Sequence, residues 1–243
     1  MKINLGFSTG CLYRSKLHER KKLELLAAIG CKVVELGFVK LEDFLREQWA
    51  QFMVLTRTDF VPFDYVSLHA PAYGYGRDEP TRRIFNLIRS FHTKIRPLNL
   101  VVFHPDTVKD FFVFEGLDFP VAFENMDNRK KSHRDVLGLR EVLGKVEGAT
   151  VVLDVNHAFT NDPTCVLAFH FWHNLYAKID QIHLSGYDEL NGLSHAPLFK
   201  TRQIEIVRSI KNLNLPIIIE SVLAPSELAK ERDYILSVIN GRQ

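Results

Sequence analysis

The sequence predicts an α/β fold, a (β/α)8 TIM barrel forming a single domain over residues 1–243. Three observations carry this. A strand-then-helix alternation repeats about eight times, with no linker or composition shift to divide it. Six short apolar runs each deliver a potential metal ligand to their C-terminal end, where interior packing has no use for one. The length of 243 residues is close to the roughly 250 typical of such a barrel. An open doubly wound sheet is the competing architecture. Its first strand would carry a G-x-G-x-x-G turn, absent here, and its site would gather at one switch point. A closed barrel brings all strand ends to one mouth.

The elements follow in order. Strand-like runs are Ile3–Thr9, Lys32–Phe38, Tyr65–Ala70, Leu100–His104, Val121–Asn125, Thr150–Val155, Ile179–Ser185 and Pro216–Ser221. Near-continuous apolar stretches such as VVL and III suit strands covered on both faces. The helical stretches between them are His18–Ile29, Leu41–Leu55, Pro80–Arg96, His133–Lys145, Pro163–Ala177, Thr201–Asn212 and Pro225–Ile239; only a short irregular piece follows Leu100–His104. Pro80, Pro163 and Pro225 stand where first turns should begin.

Composition sets the class. Hydrophobic residues make up 46% and charged residues 25%, ordinary for a soluble globular chain. The net charge of +2 and pI of about 8.4 neither demand nor exclude a nucleic-acid partner. Cys11, Cys31 and Cys165 form an odd set without a C-x-x-C pair, which fits a reducing cytoplasm better than a disulfide framework. The N-terminus lacks a signal-peptide pattern, and no apolar run reaches membrane-spanning length. The expected location is cytoplasmic, with no membrane partner.

Of the ten histidines, His18, His92, His133, His170 and His173 fall in or beside helical stretches and read as surface or packing residues. The others sit with the strand ends: His69 in SLHAP, His104 in VVFHPD, His157 in VVLDVNHAF, His183 in QIHLSGYD, and His195 in the long loop after the seventh strand. Glu124 (VAFENMD), Asp154 and Glu220 (PIIIES) join them. Taken singly, a strand-end histidine is a satisfied polar residue. Taken together, three carboxylates converging without a cation would repel one another. A divalent ion removes that cost, and mixed N/O donors suit Zn, Mn, Co or Fe more than Ca or Mg. Between one and three ions are expected.

Further candidates surround this set. Glu35 ends VVELGF and is read as an acid, base or substrate hydrogen-bonder, or else a buried salt bridge. Arg129, with Lys130 and Lys131, follows the Glu124 strand and is placed to steer an anionic substrate, or is a solvated face. Tyr73 and Tyr75 in PAYGYG are read as a wall for a sugar or base, or as loop packing. Trp172 reads as helix packing.

At these motifs the chain resembles the xylose isomerase-like TIM-barrel superfamily, which includes endonuclease IV and many sugar isomerases and epimerases. The resemblance spans nearly the whole chain as an ordered set of short motifs. In the epimerase branch, a Glu, an Asp, a His and a Glu from four successive strands hold one metal, and the two glutamates serve as acid and base. The resemblance places these at Glu124, Asp154, His183 and Glu220. The endonuclease IV branch builds three zinc sites, and the chain is similar to it at LHAP (His69), FHP (His104), FEN (Glu124), LDxxHAF (Asp154, His157), IHL (His183) and Glu220. Its third site also requires an Asp-x-His pair. Here His195 is present, Leu193 stands at the Asp position, and Asp188 is a substitute from another direction. LDVN and IHLSG also resemble multinuclear non-haem iron oxidases of the same fold.

The resemblance thus implies a divalent-metal-dependent enzyme. The leading expectation is a sugar or polyol isomerase or epimerase. In it, Glu124 and Glu220 are catalytic proton carriers, Glu35, His157, Tyr73 and Arg129 contact substrate, and a small sugar or sugar phosphate is the partner. The alternatives are an endonuclease IV-like phosphodiesterase, whose nucleic-acid partner the near-neutral charge does not favour, and an iron oxidase. A barrel that only binds its ligand is the non-enzymatic reading.

Overall fold

A computed structural model describes residues 3–38 and 47–241 of the chain. Among the described residues, eight parallel strands close into a barrel: β1 (Leu5–Ser8), β2 (Val33–Gly37), β3 (Tyr65–His69), β4 (Leu100–Phe103), β5 (Val121–Glu124), β6 (Thr150–Asp154), β7 (Ile179–Leu184) and, closing onto β1, β10 (Ile217–Ile219). Strands β8 (Gly186–Asp188) and β9 (Leu193–Ala196) form a separate antiparallel hairpin after β7. No helix among the described residues is long and apolar enough to cross a membrane.

Register explains how the strands stack functional residues. Glu35 pairs with Ser67 and Gly37 with His69 across β2 and β3, while Asp154 pairs with His183 across β6 and β7. Side chains two residues apart on a strand share a face. Ser67 therefore lies one layer below His69, and Gln181 one layer below His183. A register shift opposite Val151 and Val152 leaves Asp180 as the extra residue on β7. This bulge leaves Asp180 exposed while Gln181 and His183 are buried. Leu100, Val102, Ala122 and Val152 pack together as an apolar plug, apart from the larger core between strands and helices.

The helices follow the expected alternation, with differences at their ends. α1 (Glu19–Ala28) is capped by His18, whose Nδ1 accepts from Arg20 N–H. Of the expected helix Leu41–Leu55, Glu47–Met53 is α2, and its first residues, 41–46, lie outside the described residues. α3 (Glu79–Lys94) begins at Asp78, which accepts from Thr81 N–H, with Pro80 in the first turn. It buries Ile84, Phe85, Ile88 and Phe91 on one face. α4 (Val136–Lys145) starts three residues later than expected because His133 is left-handed (φ 59°) and Asp135 takes the cap.

Two expectations are corrected. The helix expected over Pro163–Ala177 is α6 (Val166–Leu175), which begins only after Cys165, at φ 62°, and a further helix, α5 (Val155–Asn161), precedes it directly after β6. Asp162 accepts from Thr164 and Leu167 N–H, so Pro163 belongs to a turn rather than to the helix. The single helix expected over Thr201–Asn212 is two short ones, α7 (Leu198–Thr201) and α8 (Ile204–Arg208), divided by left-handed Arg202. α9 (Leu228–Asn240) is the last helix among the described residues.

Candidate metal centre

The strand ends β3 to β7 and β10 deliver their donors to one mouth. Glu124 stands at the centre, 1% exposed. His69 Nε2 and His104 Nε2 approach its Oε2 at 3.1 and 3.2 Å, and His183 Nδ1 and His157 Nδ1 approach its Oε1 at 3.2 and 3.3 Å. Glu220 Oε2 lies 3.4 Å from His183 Nδ1, and Asp154 Oδ2 lies 3.5 Å from His157 Nε2. Two groups have donor atoms within 4.8 Å of one another: His69, Glu124 and His183; and Glu124, Asp154, His183 and Glu220. The third expected site does not assemble in this way. His195 is 3.8 Å from Glu220 Oε2, with its ring 5.8 Å from that of His157.

Local structure aims these groups. Asp154 ends β6 and caps α5, its Oδ1 accepting from His157 N–H at 2.8 Å. Asn125 holds the Asp154 backbone from both sides, donating to its carbonyl and accepting from its N–H. Asp154 Oδ2 is then buried with no hydrogen-bond partner. Such an orphan carboxylate oxygen is costly unless a cation meets it. The ring protons are also assigned by partners. A carbonyl can only accept, so His69 Nδ1 donates to Ala70 (3.0 Å) and His157 Nδ1 to Asn125 (2.9 Å). His183 Nε2 faces Glu35 Oε2 at 3.0 Å, which leaves Nδ1 directed at Glu124 and Glu220. Unprotonated ring nitrogens facing carboxylates at these distances need a proton or a cation between them. The donor set and the orphan oxygen both fit a divalent ion.

Electrostatics give the same picture from the proton side. Burial lowers the His69 imidazole, but Glu124 outweighs it and carries the group up to about 9. Burial likewise opposes protonation of His183, and the charges of Glu220, Glu35 and Glu124 override it, holding the imidazole well above its ordinary value. Burial raises Asp154 to about 6 and Glu220 to about 7. Glu124 is driven the other way: burial raises it, yet His183, His104 and His157 hold it well below the usual carboxylate range. His195 is pushed down to about 3 by burial and by His157.

Above the donors lies a cavity of about 330 Å³, lined by His69, His104, Glu124, His157, His195 and Glu220, with Arg129 and Lys130 at its edge. Arg129 pairs with buried Asp127, its Nε at 2.9 Å, and Lys130 with Asp106 at 2.9 Å. Glu35, Tyr73, Tyr75 and Asp188 lie off the cavity, Glu35 and Tyr75 taking the ion-pair and packing roles also expected of them. Glu35 does not line the cavity; it is fully buried one layer down, bonded to Ser67, Gln181 and His183. Tyr73 turns its hydroxyl to Asp78, and Tyr75 is buried in the aromatic core, so neither walls the cavity. Asp188 caps its own hairpin turn through Asn191 and is no substitute donor.

Gln181 and Asn125 escape a reading of the sequence. Gln181 carries a signal: it is a polar residue two positions before His183 in an apolar strand. With Glu35 it fixes the imidazole from below. Glu35→Gln is expected to weaken metal affinity by about 10–100-fold, as loss of an outer hydrogen bond to a ligating imidazole does. Competition against a chromophoric chelator measures it; unaltered affinity would show that Glu35 does not act through His183.

No family model matches the sequence, and no curated protein matches it. Solved structures are similar in fold. Endonuclease IV from Thermus thermophilus superposes with a TM-score of 0.68 at 13% identity, covering 98% of this chain and 99% of that one. A D-tagatose 3-epimerase-like protein superposes at 0.64 and 16% identity, covering 99% of both chains. The probable 3-DHS dehydratase AsbF from Bacillus anthracis does so at 0.62 and 13%, covering 97% and 99%. The fold shared with them is the closed eight-stranded (β/α)8 barrel.

Proposed function

We propose that the chain is a divalent-metal-dependent enzyme that hydrolyses a phosphate ester of a small organic molecule. The observation that carries this is the engagement of Glu124 on both oxygens. His69 and His104 meet Oε2, and His183 meets Oε1 with Asp154 and Glu220 nearby. A carboxylate placed so is a bridge between two donor sets. Ions held there would supply Lewis acidity, activating water and stabilising charge on the phosphoryl group and leaving oxygen.

The chain's own residues set the rest. Glu35 and Gln181 fix His183, and Ala70 and Asn125 fix the rings of His69 and His157. Arg129 and Lys130 draw an anionic substrate to the cavity edge. Glu220, with a carboxyl near neutrality and open to the cavity, takes or gives a proton at its carboxylate oxygen. A cavity of about 330 Å³ suits a small molecule rather than a nucleic-acid strand.

The second reading is a sugar or polyol isomerase or epimerase, with Glu124 and Glu220 exchanging the proton. Glu220 and the cavity size favour it. Glu124 counts against it, because a carboxylate clamped by surrounding imidazoles and held well below its usual range is a poor base.

Elemental analysis of protein purified without chelator separates the two. Two ions per chain are expected, with one lost in the variant carrying His69→Gln and His104→Gln. That variant should also lose turnover of 4-nitrophenyl phosphate or bis(4-nitrophenyl) phosphate. One ion in both proteins, with ketohexose interconversion detected by chromatography, would establish the isomerase reading instead.

A further inference from the structure

The ring of donors is interrupted over two strands. β3 to β7 and β10 each supply a donor at the mouth; among the described residues, β1 and β2 supply no imidazole or carboxylate that lines the cavity. In the barrel order these two strands lie across from β5 and β6, which carry Glu124 and Asp154. The wall they build is of a different chemistry. Ser8 at the end of β1, Gly10, Cys11 and Tyr13 after it, and Gly37 and Phe38 at the end of β2 line the cavity there, and Val222, after the neighbouring β10, extends the apolar surface.

This wall is mostly apolar, with the Ser8 and Tyr13 hydroxyls as its polar groups. A Cβ on Gly37 would come within 2.4 Å of Ser8 Oγ, and one on Gly10 within 3.3 Å of the same atom, so the two turns pack closely around that hydroxyl and leave no room for side chains there. The amides that such glycines would otherwise offer a ligand are taken. Gly10 N–H is donated to Ser8 Oγ at 3.3 Å, and Gly37 N–H to Thr9 Oγ1 at 3.1 Å. A polyol held at Glu124 would direct its remaining hydroxyls mainly at Cys11, Phe38 and Val222, with only the Ser8 and Tyr13 hydroxyls to receive them. Most of those hydroxyls would leave water without gaining partners there, so a polyol should bind little tighter than its truncated counterpart. An aryl or alkyl group placed against the same wall would gain by burial.

The geometry points to a substrate with two unlike ends: a phosphoryl group at the donor ring, and an aromatic or branched apolar group, rather than a sugar, against the β1–β2 wall. This rests on the phosphoester reading above and specifies its substrate class. Tyr13, 44% exposed at the rim, is the wall residue placed to cover that group from outside.

Non-hydrolysable phosphonates with a common headgroup test it without turnover. Phenylphosphonate, methylphosphonate and 2,3-dihydroxypropylphosphonate are titrated by calorimetry into the metal-loaded full chain. Phenylphosphonate should bind about tenfold or more tighter than methylphosphonate, as expected for burying an aromatic ring, and the dihydroxypropyl compound little tighter than methyl. Tyr13→Ala and Val222→Asn should each bring the phenyl-to-methyl ratio down toward unity. Equal phenyl and methyl affinities, or a dihydroxypropyl compound that binds tightest, would overturn the apolar end while leaving the phosphoester reading standing. Failure of all three to bind would remove the phosphoester reading and this inference together.

Discussion

Glu124→Gln is expected to empty the centre of metal and abolish turnover, with a loss exceeding the about 10–100-fold typical of an outer contact. An amide presents one oxygen where the carboxylate presents two, and its nitrogen would face either the His69/His104 pair or the His183 side. One donor set is therefore broken in either orientation, and the charge that both sets share is gone. The barrel should survive, because its strands are held by backbone pairing and by apolar packing below the mouth. Metal content by elemental analysis, read beside far-UV circular dichroism, decides the outcome. Retention of two equivalents of metal would rule out Glu124 as a bridge.

Stripped of metal, the protein should lose stability as pH rises from 7 to 9, while the metal-loaded form should not. His69 is raised to about 9 and His183 lies well above its ordinary value. A histidine raised on folding contributes stability that is complete below its unfolded value near 6.5 and is lost as pH climbs through the folded value. Asp154 and Glu220, raised to about 6 and about 7, act in the same sense; the Asp154 part is largely spent by pH 7, and Glu220 adds to the loss just above it. The opposing groups work lower. Glu124 and Glu35, both held down, and His195, at about 3, favour the folded state as pH rises only through the acid range. In the loaded protein, ions replace the ring protons and bind more tightly once the imidazoles are neutral. The gap in melting temperature between loaded and chelator-treated protein should widen between pH 7 and 9 by scanning calorimetry. A constant gap would mean that metal and protons do not compete for these rings.

Most of the barrel is legible because its strands carry two signals at once, an apolar run and a polar residue at its C-terminal end. That pattern alone puts His69, His104, Glu124, Asp154, His183 and Glu220 at one mouth, and there the structure holds them. What is illegible depends on register and on local caps. Glu35 looks like a strand-end residue, but its pairing with Ser67 rather than His69 sets it one layer lower, out of reach of a substrate. The abrupt start of α5 needs the Asp154 side chain to act as a cap, and a residue that reads as a ligand does not also announce a helix. The split of α7 from α8 turns on the left-handed backbone at Arg202, a conformation no residue type demands there.

The β8–β9 hairpin stands outside the barrel's hydrogen-bonded ring. It is tied down where Val222 N–H meets the His195 carbonyl and where Gln203 accepts from Tyr187 N–H. Leu193, 56% exposed, pairs with Asp188 across the hairpin. Substitution at exposed Leu193 can therefore supply or withhold a donor beside His195 without altering the packing of the barrel strands. The hairpin is an appended arm whose chemistry can change while the Glu124 carboxylate stays where β5 puts it.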